Sequence, residues 1–238
     1  MNTTEFSEQW DILYNNIASN AAPGLTEYEK SVFLTQAQKE VVIGLYNGTL
    51  GYGFEQVEEN RKYLAPLVET ALITESTTDS EHELADGVRT KSQFFKLPDD
   101  LWFITYESAN VNDSHATQCV NNREFDVIPV TQDMFHKVRN NPFRGPDDRK
   151  ILRLDYKPAE ITPDYVVHQV ELVSKYDIEK YLVRYIRYPK PIILEQLNPK
   201  EGLSIESFTE EMTSELNPIL HKIILEVAIN KAYNIRPN

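Results

Sequence analysis

Apolar residues recur at helical spacing at the two ends of the chain and at strand spacing between them. Phe6, Trp10, Leu13 and Ile17 follow one another at four, three and four residues, which gathers them on one helix face. Pro23-Gly24 breaks that pattern as a turn does. Thr26-Glu27-Tyr28-Glu29 has the form of a capping box, in which the Thr hydroxyl takes a backbone N–H and Glu29 reaches back. Phe33, Ala37, Val41 and Leu45 then repeat every four residues until Asn47-Gly48 closes the helix. A third helical stretch is predicted over Glu55–Ile73, kinked or ended at Pro66. The polar run Ser76–Gly87 reads as a loop.

Strand signals follow. Trp102–Tyr106 is β-branched and aromatic, while Ile151–Tyr156 and His168–Leu172 alternate. Tyr181–Tyr188 is the strongest strand pattern, stopped by Pro189-Lys190-Pro191. Between them Thr131–Arg139 reads as a short helix, closed by the turn-rich Asn140–Pro146. Ser207–Glu210 has the form of a second capping box, followed by Met212, Leu216, Ile219, Ile223 and Val227 at helical spacing. Pro218 inside that run predicts a kink, or a restart with Asn217 as cap. The expected fold is α+β: an N-terminal helical region (1–75), a β-rich region (88–206) and a C-terminal helix (207–234) packing back on the helical region as one integrated domain. The central sheet is expected to be small and mostly antiparallel, with one short inserted helix.

Composition narrows the class. The chain has 238 residues, of which 41% are hydrophobic, so it can build a substantial core. No apolar run approaches the ~20 residues of a membrane span, and the N-terminus lacks the pattern of a secretory signal, so a soluble cytosolic product is expected. The single cysteine, Cys119, excludes an internal disulfide and any multi-thiolate metal site. The net charge is −13 and unevenly placed: residues 1–86 carry 15 acids and 4 bases, whereas Lys137–Lys157 carries seven bases and three acids. Duplex DNA is a poor partner for such a chain, because neutralising phosphates supplies most of that affinity. The acidic third reads first as a solvated face.

No constellation for chemistry stands out. The glycines of Gly48–Gly53 follow a helix and lack the ending of a phosphate-binding loop. Glu81-His82-Glu83 and His115 with Cys119 are incomplete as metal sites. Cys119 as a nucleophile would need His115, His136, His168 or His221, and nothing local pairs it with one. Asp99-Asp100 and Asp147-Asp148 sit in turn contexts. No catalytic, cofactor-binding or metal-ligating residue is therefore assigned, and no cofactor is expected. Arg184 and Arg187, on opposite strand faces, suit either pairing with a carboxylate or docking to an acidic partner. Tyr181, Tyr185 and Tyr188 suit either the sheet core or an interface.

Three separated blocks carry a resemblance: Asp11–Gln38 (DILYNNIASNAAPGLTEYEKSVFLTQAQ), Lys175–Leu194 (KYDIEKYLVRYIRYPKPIIL) and Ser214–His221 (SELNPILH). Each resembles the head–tail connector or tail ring (adaptor) virion structural proteins of crAss-like and related tailed phages that infect Bacteroidetes. The resemblance implies no enzyme, but a homo-oligomeric, twelvefold ring in the virion neck or tail, made in the host cytoplasm without membrane association. Such a ring sits under the portal, meets adjacent tail ring or tail proteins and extends a channel through which packaged DNA passes without sequence-specific binding. A non-structural phage or bacterial regulator that binds a host protein is the alternative.

Overall fold

The computed structural model describes residues 1–17, 24–49, 58–77, 91–113, 121, 123–138, 141–161, 166–198 and 202–234. The chain divides into two compact units, one of Met1–Val68 with Tyr188–Asn238 and one of Glu69–Arg187.

The first unit opens with α1 (Thr3–Ile17). Its start is fixed by a reciprocal pair: Glu5 N–H donates to Asn2 Oδ1 at 2.7 Å and Asn2 N–H donates to Glu5 Oε2 at 3.0 Å. Phe6, Trp10 and Tyr14 are its buried stripe. The expected seam therefore bends from Leu13, which is exposed, to Tyr14, the position that keeps a strict spacing of four. The second helix, α2 (Glu27–Asn47), has the full Thr26–Glu29 capping box and ends on Gly48 at φ 78°, a left-handed value that glycine takes without cost. Lys30 ties the two helices together, reaching Asp11 at 2.8 Å and Glu27 at 2.9 Å.

The predicted helix over Glu55–Ile73 is corrected: α3 (Glu58–Leu64) passes into a 3₁₀ turn (Ala65–Leu67) at Pro66 and then into a strand, β1 (Val68–Ile73). Pro66 takes the first turn of the tighter helix, where its missing N–H costs nothing. The β-branched residues beyond it favour strand.

After Tyr188 the chain runs extended through two prolines that cannot donate to a ladder. Side chains of α2 take the place of a partner strand. Ser31 Oγ accepts from Leu194 N–H at 3.0 Å. Thr35 Oγ1 accepts from Ile192 N–H at 3.1 Å and donates to Ile192 C=O at 3.3 Å. Gln38 Nε2 donates to Lys190 C=O at 2.7 Å, and its Oε1 accepts from Ser214 Oγ at 2.6 Å. The match is geometric: four residues of helix rise about 6 Å, close to the roughly 6.5 Å that two extended residues span. Thr35→Val keeps the shape but strands both backbone groups of Ile192, so it is expected to cost about 1–3 kcal/mol in urea denaturation. A loss below about 0.5 kcal/mol would deny the seam a structural role.

The expected helix over 207–234 is shorter. Residues 205–208 form a two-residue hairpin, Ile205 and Phe208 exchanging backbone bonds of 3.0 and 2.9 Å, with Glu206 and Ser207 both at positive φ (52° and 67°). That conformation excludes Ser207 as a helix cap. Met212 instead bridges Ile193 in extended backbone. The helix restarts after Pro218 as α5 (Leu220–Asn234), with Asn217 Oδ1 accepting from Ile219 N–H at 3.1 Å. Its buried stripe begins at Leu220 and His221, so Ile219 and Ile223 are exposed. The sequence pattern misplaced the stripe because it joined residues on both sides of the proline.

His221 is buried against Phe6, whose ring lies 5.3 Å away. Its Nδ1 accepts from the Met1 amino group at 2.7 Å and its Nε2 donates to Leu216 C=O at 3.2 Å, the pattern of a neutral imidazole. Burial pushes its pKa down, the positive Met1 amino group adds to this, and the Leu216 carbonyl opposes. Below about pH 6.5 the unfolded chain thus binds more protons than the folded one. Stability is expected to be complete above that pH and to fall on acidification through it. Melting of the protein beside His221→Gln between pH 7.5 and 5.5 should show a larger loss for histidine; parallel curves would contradict the assignment.

The second unit is a sheet: β2 (Ser76–Thr77), β3 (Lys91–Lys96), β4 (Leu101–Val111), β5 (Glu124–Pro129), β6 (Lys150–Ile161), β7 (Val166–Ser174) and β8 (Ile178–Arg187) join β1 in the order β1-β8-β4-β5-β6-β7-β3-β2. It is larger than expected and mixed: the strand pairs β2–β3, β3–β7, β4–β5, β4–β8 and β6–β7 are antiparallel, while β5–β6 is parallel. Asp126–Pro129 runs parallel to Lys150–Arg153, because α4 (Gln132–Val138) carries the chain across the sheet between them. That crossover contains the expected inserted helix and explains the parallel pairing of β5 with β6. Alternate residues feed two cores: Ile151 and Leu172 join Phe95, Phe125 and Tyr181, while Leu152 and Val173 pack under Phe135 of α4.

Candidate assembly surfaces

The interior of the sheet carries a charge network. Arg153 on β6 donates to Glu107 on β4 at 2.7 Å, and the Tyr181 hydroxyl donates to the other carboxylate oxygen at 2.5 Å. The Arg153 and Glu107 side chains are only 10% and 7% exposed. Burial raises the Glu107 pKa, against the opposing pull of Arg153 and the Tyr181 hydroxyl, and burial beside Glu107 pushes the Tyr181 phenol up. The triad ties β8 to its neighbour β4 and, past the intervening β5, β4 to β6.

Residues weighed for chemistry or docking are dispersed. His136 and His168 are exposed and His221 is buried. Glu81-His82-Glu83, His115, Cys119 and the glycines at 51 and 53 lie outside the described residues. Asp100 accepts from the Tyr185 hydroxyl at 3.0 Å, Asp147 accepts from Arg149 N–H at 2.7 Å, and Asp148 accepts from the Tyr176 hydroxyl at 3.0 Å. These carboxylates pin turns, as their contexts suggested. Among the described residues no three His, Cys, Asp or Glu side chains gather as a metal site, and no helix is long and apolar enough to cross a membrane. Arg187 donates to Glu69 at 2.8 Å, whereas Arg184 is exposed. Tyr181 and Tyr185 are buried. Tyr188 remains partly open, with Lys39 Nζ 5.7 Å from its ring centre.

Two surfaces stand out instead. On the second unit, a groove of about 400 Å³ runs between the end of β5, α4, the 141–146 turn and the start of β6. Ile128, Val130, Met134, Val138, Phe143 and Leu152 line it, and its charged lining residues are Arg144 and Lys150. Phe143 stands 83% exposed at its side. On the first unit, α1 shows Glu5, Glu8, Asp11 and Ile12 to solvent. Sequence reasoning registered the basic excess near the groove, but the groove needs strands brought together from separate stretches.

An α+β chain with no catalytic cluster assembled among the described residues, and with interaction-grade surface on both units, fits an assembly component. A family model described as phage tail ring protein 3/4 matches residues 1–236. The chain belongs to the phage tail ring protein 3/4 family. It is 43% identical over 235 residues to Ring protein 3 of Bacteroides phage crAss001, covering 98% of this chain and 95% of that protein. It is 32% identical over 235 residues to Ring protein 4/5 of the same phage, covering 98% and 92%. Membership of the tail ring family makes the chain a structural protein of the virion tail and implies a non-enzymatic role. It also implies oligomeric assembly with other tail proteins.

Proposed function

We propose that this tail ring protein forms a closed, twelvefold ring beneath the portal, joins head to tail as a connector and extends the channel for packaged DNA. The observation that carries the proposal is the family match along essentially the whole chain. A closed ring needs two different, complementary faces on each subunit, and the acidic first third and the basic 137–157 stretch supply unlike surfaces. Acidic residues facing the channel would repel phosphates and let DNA slide. The subunit is made in the host cytoplasm and meets the portal on one side and an adjacent tail ring on the other. A regulator that docks on a host protein through the tyrosine-rich strand is disfavoured, because Tyr181 and Tyr185 point into the core.

Native mass spectrometry of the purified protein, alone and mixed with a portal assembly, tests the proposal. A species of about twelve copies in either condition is expected. Persistent monomer or dimer in both would overturn it.

A further inference from the structure

Among the described residues of its own unit, none fills the groove beside Phe143. The turn that carries it is firmly built: Asn141 Oδ1 accepts from Phe143 N–H at 2.9 Å, Gly145 N–H donates to Asn141 C=O at 2.7 Å, and Lys150 Nζ donates to Phe143 C=O at 3.2 Å. A large aromatic ring is thus held 83% exposed by a fixed backbone next to an apolar trough. Pre-ordered aromatic anchors beside pockets are what the energetic centres of interfaces are made of. Met134, 39% exposed on α4, widens the apolar area.

We propose that this groove receives the outward face of α1 from a second copy of the chain. The proposal rests on the ring reading, since a ring contact joins unlike faces of identical subunits. Charge selects the occupant. The groove is edged by Arg144 and Lys150, within a stretch that carries seven bases against three acids. Its complement must be apolar and acidic. Several elements offer exposed apolar side chains for comparison, among them Phe208, near Glu206 and Glu211, which are engaged with Lys39 and Thr3, and Ile43 on α2, near Glu40, which pairs with Lys231. Ile219 and Ile223 flank Lys222 at the start of α5. Leu72 on β1 has Glu69 nearby in sequence, but that carboxylate already accepts from Arg187. Ile12, 62% exposed, lies on α1, a helix without a single Lys or Arg, which also exposes Glu5 and Glu8.

The helix geometry also suits insertion. At about 100° per residue, Ile12 projects some 160° away from both Trp10 and Tyr14, the buried anchors two residues to either side. Glu8 lies one turn before Ile12 on the same stripe, and Glu5 a further turn back. The α1 face therefore offers an apolar tooth followed by two carboxylates, the arrangement of a helix laid in a groove. Ile12 enters the trough beside Phe143 and Met134 and Glu8 meets Arg144, while Glu5, whose Oε2 holds the Asn2 N–H, adds its charge on the side of Lys150.

A charge swap on the full chain tests this, read as ring formation by native mass spectrometry and sedimentation under whichever condition, alone or with portal, gives rings of the unaltered protein. Arg144→Glu and Glu8→Arg should each raise the concentration needed for rings by about tenfold or more, Phe143→Ser should do the same, and Arg144→Glu combined with Glu8→Arg should recover most of the loss. The side chains at all three positions are exposed, so melting temperatures should stay within about 2 °C of the parent, which separates lost assembly from lost folding. Rings unaltered by all three single changes, or single losses that the swap does not repair, overturn the groove assignment while leaving the ring reading standing. Loss of binding to a neighbouring tail protein with homomeric rings intact assigns the groove to that partner and likewise overturns it. Failure of the unaltered protein to form rings in any condition counts against the ring reading itself.

Discussion

Replacing Arg153 with methionine is expected to destabilise the sheet unit by about 3–5 kcal/mol, the usual consequence of leaving one member of a buried ion pair behind. The Glu107 carboxylate, only 7% exposed, keeps the hydroxyl of Tyr181, itself part of the core cluster with Phe95, Phe125, Ile151 and Leu172, but loses its 2.7 Å contact to the guanidinium. A charge there has too few partners to offset its lost hydration. The compensated variant Arg153→Met, Glu107→Leu, Tyr181→Phe removes every polar group of the triad and should return to within about 1 kcal/mol of the parent, because well-packed apolar replacements of buried ion pairs are often neutral. Urea denaturation of the three proteins measures this. A single variant that loses less than about 1 kcal/mol would show that Arg153 is effectively solvated.

The second large effect is expected at Trp10. Its side chain is fully buried in the helical unit, with the rings of Tyr14 and Phe33 stacked 6.3 and 6.2 Å away. Trp10→Ala should cost about 3–5 kcal/mol through lost burial and the cavity left behind. Trp10→Phe should cost much less, roughly 1 kcal/mol, because the indole N–H makes no hydrogen bond among the described residues and only part of the ring volume is lost. Equal losses for the two variants would mean that the indole nitrogen, not ring packing, anchors α1.

Local signals translated well into structure, and long-range ones did not. The Thr26–Glu29 capping box is self-contained within four residues, and it forms as written. The strands around Trp102, Ile151, His168 and Tyr181 were legible because β-branched and aromatic residues alternate there. β3 and β5 were missed: Lys91–Lys96 and Glu124–Pro129 are short, and polar residues interrupt both. Their strand character depends on the neighbours Val170, Leu172 and Ile151 that pack beside them. At Glu55–Ile73 the end that Pro66 allowed is the one that forms, and the error lay in keeping the residues beyond it in a helical stretch; the error at 207–219 came from continuing a helical pattern backwards across Pro218.

The surfaces divide in the same way. Uneven charge is a property of the sequence, so the acidic α1 and the basic 137–157 stretch were visible before any fold. The groove is not such a property, because its wall joins residues of β5, α4 and β6 through a parallel pairing that a 20-residue crossover makes possible. The same holds for Arg153 and Glu107, which lie 46 residues apart. Family membership came from resemblance along three blocks, and the whole-chain family match bears it out.

The most direct test of the ring role is quantitative mass spectrometry of purified virions, with the portal protein as internal standard. A ring subunit is expected at one copy, or a small whole-number multiple, per portal subunit, and unchanged by repeated purification of the particles. Absence from the particles, or a trace amount that washes away, would contradict a structural place in the tail.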